Sequence, residues 1–148
     1  MDKQVLNLFE KLYRKNCCRV EVGAMKSLSI GFGEKIFHNN PKLKEKYYGE
    51  WEIGTYYCSW RILLNSGIIC GSNDGNEKEL NDKVKQINFG RMVKIDQPTT
   101  MDVSIHFDND YRVDILPTIS DDDEYFHIFC PDEIYIKLSK DGNWSISS

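Results

Sequence analysis

The sequence is poor in several features that usually announce a function. Its apolar runs, such as Ile62–Leu64 and Ile68–Cys70, are only a few residues long, so no transmembrane helix fits. The opening MDKQVLNLFEKLYRK alternates charge with apolar residues and lacks the unbroken apolar stretch of a signal peptide. A cytoplasmic protein without a membrane partner is the expectation. Basic charge is not in excess, and a net charge of −4 argues against nucleic acid as the partner. Histidine is limited to His38, His106 and His127, with no H-E-x-x-H spacing. The five cysteines include no C-x-x-C pair and no His at zinc-finger spacing. An odd count without a secretory signal also argues against a disulfide framework, so the thiols are expected to be reduced and structural, with Cys58 a small buried hydrophobe. Gly31-Phe-Gly33-Glu and Gly67…Gly71 read as turn glycines, not as a phosphate cradle. These absences together predict no cofactor, no metal and no catalytic set.

Material for a core is plentiful. The 148 residues are 41% hydrophobic, with seven Phe, three Trp and eight Tyr, and 28% charged. Those figures fit one globular domain and exclude disordered, collagen-like and coiled-coil classes. Val5, Leu8, Phe9 and Leu12 follow helical spacing, as do Leu80, Val84 and Ile87. The second helix has a start signal in Asn73-Asp74-Gly75-Asn76, acidic residues Glu77 and Glu79 in its first turn, and Gly90 as its stop. Most of the remainder alternates like strands: Leu28, Ile30 and Phe32, then Met101, Val103, Ile105 and Phe107. Asp108-Asn109-Asp110, Asn65-Ser66-Gly67 and Asp141-Gly142 supply turns between strands. Trp51, Trp60, Phe126 and Trp144 fall on the apolar side of this alternation and are expected in the core.

Sliding the chain against itself by 75 residues aligns apolar positions and turn glycines in order, with 8 identities in 73 positions. Val5, Phe9 and Leu12 fall on Leu80, Val84 and Ile87, and Leu28–Phe32 falls on Val103–Phe107. Trp51 falls on Phe126, and Gly67 on Gly142. The predicted fold is therefore an α+β domain of about ten to twelve antiparallel-rich strands with two short helices. It would be a pseudo-two-fold duplication of halves 1–74 and 75–148 sharing one core.

Two segments depart from the repeat. Residues 34–49 read as a long, basic, aromatic-bearing loop, and the matching part of the second half contains Asp121-Asp122-Asp123-Glu124. Charge divides the same way: residues 1–74 carry 11 Lys/Arg against 8 Asp/Glu, net +3, and residues 75–148 carry 8 against 15, net −7. An acidic face steers a basic partner. Tyr47, Tyr48, Tyr56 and Tyr57 come in adjacent pairs, so one of each pair must point outward from a strand. Tyr47, Tyr48, Tyr57, Asp121, Asp122, Asp123 and Glu124 are the candidate partner-binding residues. The competing reading is a small-ligand or enzymatic domain with a site between the halves around His106 and His127, with Asp102 or Asp114 beside them.

One stretch carries a resemblance. Trp51-x-Ile53…Cys58-Ser-Trp60-Arg61-Ile62…Ile69-x-Gly71-Ser72-x-Asp74, then a helix and Gly90-x-x-Val93…Val103-x-Ile105-x-Phe107, resembles small uncharacterised bacterial immunity-like proteins of polymorphic-toxin neighbourhoods. The resemblance spans most of the chain but rests on core aromatics and turn glycines, and it offers no catalytic residue to carry over. Phe126 stands where such proteins often have Trp, and the loop at 34–48 is long. The resemblance implies a non-enzymatic protein that neutralises a cognate toxin by surface complementarity. A homodimer is a further arrangement that this composition allows.

Overall fold

The computed structural model describes residues 1–56, 58–120 and 124–148, with Glu124 described by its backbone alone. Tyr57 and Asp121–Asp123, four of the candidate partner-binding residues, lie outside the described residues.

Helix α1 (Lys3–Leu12) begins where Asp2 accepts a hydrogen bond from Val5 N–H at 2.9 Å. Its i, i+4, i+7 face of Val5, Phe9 and Leu12 is fully buried, each side chain contributing about 2 kcal/mol of transfer free energy. Helix α2 (Glu77–Val84) is capped by Asn76, whose side chain accepts from Glu79 N–H at 2.9 Å. This helix stops at Val84, well before Gly90. That glycine has φ +80° and turns the chain into the next strand.

Among the described residues there are eleven strands, β1 (Cys17–Val22), β2 (Leu28–Phe37), β3 (Tyr47–Thr55), β4 (Cys58–Leu64), β5 (Gly67–Gly71), β6 (Met92–Asp96), β7 (Val103–Phe107), β8 (Tyr111–Pro117), β9 (Glu124–Phe129), β10 (Tyr135–Ser139) and β11 (Trp144–Ser147). They form two antiparallel sheets, six strands in the order β1-β2-β3-β9-β10-β11 and five in the order β5-β4-β8-β7-β6. The α+β architecture is as the alternation predicts, including hairpin turns at Asn65, Asp110 and Gly142, all with positive φ. The expected loop at 34–49 is shorter than predicted, because β2 runs on to Phe37 and β3 starts at Tyr47, leaving residues 38–46 as the connection.

Both sheets turn their apolar faces inward onto one core. Trp51, Trp60 and Phe126 are buried there, and Trp144 packs against them partly covered. Phe32 of β2 stacks on Phe107 of β7 across the core, centroids 6.0 Å apart. Helix α1 packs against β6 and β11, and α2 against β1 and β5, so each helix covers one edge strand of either sheet.

Each helix leads into a three-stranded meander in one sheet, and the chain then crosses to the other sheet, β3 to β4 and β8 to β9. The segments after the two helices meet at Asn16 and Arg91, an isolated antiparallel bridge between residues 75 apart. Gly33 N–H donates to the Asn16 carbonyl and Asp108 N–H to the Arg91 carbonyl, again at that offset. Beyond Phe32 the ungapped offset fails. It superposes β3 on β9, which are hydrogen-bonded neighbours in one sheet, whereas the strand that follows β7 as β3 follows β2 is β8. The cause is length: residues 38–46 join β2 to β3, but a three-residue turn joins β7 to β8.

Candidate functional site

Alternation along β3 sends Trp51, Ile53 and Thr55 into the core and Glu50, Glu52 and Gly54 to the outer face of the six-stranded sheet. Strand register then assembles that face. One cross-strand row reads Glu21–Ser29–Gly54–His127–Lys137, and the next reads Arg19–Gly31–Glu52–Phe129–Tyr135. Each row contains a glycine for a steric reason. A Cβ on Gly54 would lie 2.3 Å from His127 Nε2, and one on Gly31 would lie 2.5 Å from Glu52 Oε1. The absent side chains let the imidazole and the carboxylate lie flat on the sheet.

Arg19 is fixed from two sides. Its Nε and Nη2 donate to Glu52 at 2.9 and 3.0 Å, and Nη1 donates to Glu21 at 2.6 Å. Glu52 Oε1 also accepts Gly49 N–H at 2.7 Å. Burial disfavours the charge on Arg19, but the hydrogen bonds and charges of Glu52 and Glu21 outweigh it and raise the guanidinium pKa above its ordinary value. Lys15 pairs with Glu50 at 2.9 Å beside this group. Arg19, Glu52, Tyr48, His127 and Phe129 border a cleft of about 430 Å³.

Aromatic side chains gather toward both ends of β3. His127 lies 4.7 Å from Tyr56, 5.2 Å from Phe129 and 5.7 Å from Tyr135 between ring centroids. At the β2–β3 end, Phe37 packs on Tyr47 at 5.7 Å, His38 stacks on Tyr48 at 5.8 Å, and Lys35 Nζ sits 4.6 Å over the Tyr47 ring. Several of these rings remain open to solvent: Phe37 is 71% exposed, Phe129 52% and Tyr48 44%.

The candidate residues that can be placed fall in different positions. Tyr48 faces out at the cleft, while Tyr47 is half-buried and its hydroxyl donates to the Cys18 carbonyl at 3.3 Å. Glu124 opens β9 opposite Ser139, beside the far end of β3. Strand rise places the two ends of β3 roughly 25 Å apart. Of the described candidates, Tyr47 and Tyr48 at one end of β3 are therefore remote from Glu124 at the other. His106 and His127 do not share a site either. His106 lies on β7 of the five-stranded sheet with Nε2 2.8 Å from Asp96, and His127 lies on β9 of the other sheet. His127 occupies the polar side of its strand as expected, but the rings around it leave it only 5% exposed. Arg19, Glu52 and Phe129 are the members of this face that the sequence patterns did not single out.

None of the five cysteines is in a disulfide, with Cys70 and Cys130 buried and Cys58 half-buried where a buried position was expected. Burial pushes the Cys17 and Cys130 thiols up to about 12 and also raises Cys18 and Cys70, the reverse of nucleophile activation. Among the described residues no group of three or more His, Cys, Asp or Glu is placed to hold a metal, and no helix is long and apolar enough to cross a membrane. Comparison with family models, curated proteins and solved structures gives no match.

Proposed function

We propose that this chain is a non-enzymatic interaction domain that docks a protein partner on the outer face of its six-stranded sheet, as an immunity protein occludes its cognate bacterial toxin. The carrying observation is that the exposed rings Tyr48 and Phe129 line one cleft with the fixed Arg19–Glu52 pair, which Glu21 braces. Isolated exposed aromatics are ordinary on soluble proteins, but a set of them rimmed by charge is the composition of an interface centre. Because Arg19 is already held by two carboxylates, little side-chain entropy is lost when a partner covers it. A net charge of −4 favours a basic partner.

Co-expression with the product of an adjacent toxin-like open reading frame tests this reading. The wild-type chain is expected to restore growth and to co-purify with that product. A Tyr48→Ala/Phe129→Ala variant with unchanged circular dichroism is expected to lose both, since anchor residues of this type each carry about 2 kcal/mol or more. Failure of the wild-type chain to bind, or undiminished binding by the double variant, would overturn the proposal.

A further inference from the structure

The segments that follow the two helices are tied together at a second cleft, which shares no lining residue with the cleft of the proposed docking face. Arg14 N–H donates to the Met92 carbonyl at 2.7 Å, Met92 N–H donates to the Lys15 carbonyl at 3.0 Å, and Asn16 bridges Arg91. Arg14 holds φ +71° in this turn, a conformation that favours glycine over arginine. Backbone pairing thus brings Arg14 and Arg91 to one place. Both line a cleft of about 440 Å³ with Tyr13, Met92, Val93 and Asp108.

The charges lining this cleft do not cancel. Two guanidinium groups stand against one carboxylate, Asp108, whose Oδ1 already accepts Arg91 N–H at 2.7 Å. Both arginines are exposed, and among the described residues neither guanidinium has a hydrogen-bond or ion-pair partner. The chain has three other arginines, Arg19, Arg61 and Arg112, and each is held by a carboxylate. The two without such a partner are the two that share a cleft. The fold itself does not call for arginine at either place. At the 75-residue offset that relates the two halves here, Arg14 corresponds to Phe89 and Arg91 to Asn16. The rest of the lining is largely apolar. Met92 is buried, Val93 is 47% exposed at an irregularity in the β6–β7 register, and the Tyr13 hydroxyl is taken up as acceptor of Ile95 N–H at 3.2 Å.

We propose that this cleft binds a carboxylate carried on an apolar body, a small aryl or alkyl carboxylic acid, through Arg14 and Arg91. A carboxylate is planar and accepts two parallel N–H bonds from one guanidinium fork. Its single negative charge matches the excess of one positive charge, whereas a dianion would leave negative charge facing Asp108. The apolar body displaces water from Val93 and its neighbours.

Titration of the full chain with phenylacetate, acetate and uncharged phenylacetamide tests the site, at matched ionic strength and followed by the NMR signals of the arginine Nε–H groups and the Val93 methyls. Saturable shifts at Arg14, Arg91 and Val93 are expected from phenylacetate, with several-fold weaker binding of acetate and none of phenylacetamide. Arg14→Gln and Arg91→Gln are each expected to weaken phenylacetate binding about tenfold, the worth of a charge-assisted hydrogen bond. Asp108→Asn keeps an oxygen for Arg91 N–H and removes the one opposing charge, so it is expected to tighten binding several-fold. Equal shifts from phenylacetamide, shifts that chloride reproduces, or an affinity that none of the variants moves would overturn the proposal.

Discussion

Gly54→Ala tests how the docking face is built. The new Cβ would sit 2.3 Å from His127 Nε2 and 2.6 Å from its Cε1, so one partner must give by about 1 Å to reach ordinary contact. The imidazole has little room to do so, because Tyr56, Phe129 and Tyr135 pack around it. Overpacking of this kind costs about 1–3 kcal/mol, and the reduced freedom of the unfolded chain returns about 0.4–1 kcal/mol of that. The net loss expected is about 1–2 kcal/mol, a fall in Tm of about 2–8 °C for a chain of this size. Urea unfolding followed by the fluorescence of buried Trp51 and Trp60 reads it directly. The decisive arm is the same substitution in a His127→Ala background. With the ring removed, Gly54→Ala is expected to be neutral or slightly stabilising, which gives a coupling of about 1–3 kcal/mol between the two positions. An equal cost in both backgrounds, or none in the wild type, would refute the steric argument.

Other predictions follow from the charged and thiol groups. Burial pushes Asp114 up, but hydrogen bonds from Arg112, Arg61 and Ser104 outweigh it and hold the carboxyl below the usual carboxylate range. Its contribution to stability is therefore present above the unfolded value of about 3.9 and is lost as pH falls through the lower folded value. Asp114→Asn is expected to cost about 1–2 kcal/mol at neutral pH, a moderate figure because both arginines are more than a third exposed. The variant should also flatten the acid limb of stability against pH below about 4, and denaturation curves with parallel acid limbs would contradict this. Cys17 and Cys130, with thiols near 12, are expected to resist alkylation at pH 8 in the native state and to react once urea unfolds the chain. Rapid native labelling at either residue, located by mass spectrometry, would count against that assignment.

The parts of this fold that depend on a few neighbouring residues are legible in the sequence. Alternation in Leu28–Phe32 and Val103–Phe107 marks inward faces, and Asp141-Gly142 marks a hairpin that closes with φ +76° at the glycine. The adjacent pair Tyr47-Tyr48 places one ring outward for the same local reason. What escapes such reading depends on register between distant strands. Arg19 meets Glu52 because β1, β2 and β3 pair with Gly31 opposite both. His127 lies on Gly54 because β9 joins β3, a pairing that no local pattern specifies. The 75-residue offset shows the same limit. It holds through the helices and the first two strands of each half, where Asn16 meets Arg91 and Phe32 stacks on Phe107. It then slips, because the β2–β3 connection is several residues longer than the β7–β8 turn. An ungapped comparison consequently pairs Trp51 with Phe126 as equivalents, although they stand on adjacent strands of one sheet. The same hairpin presents Tyr48 to solvent at the cleft. The segment that breaks the offset is thus the one that supplies one end of the proposed docking face.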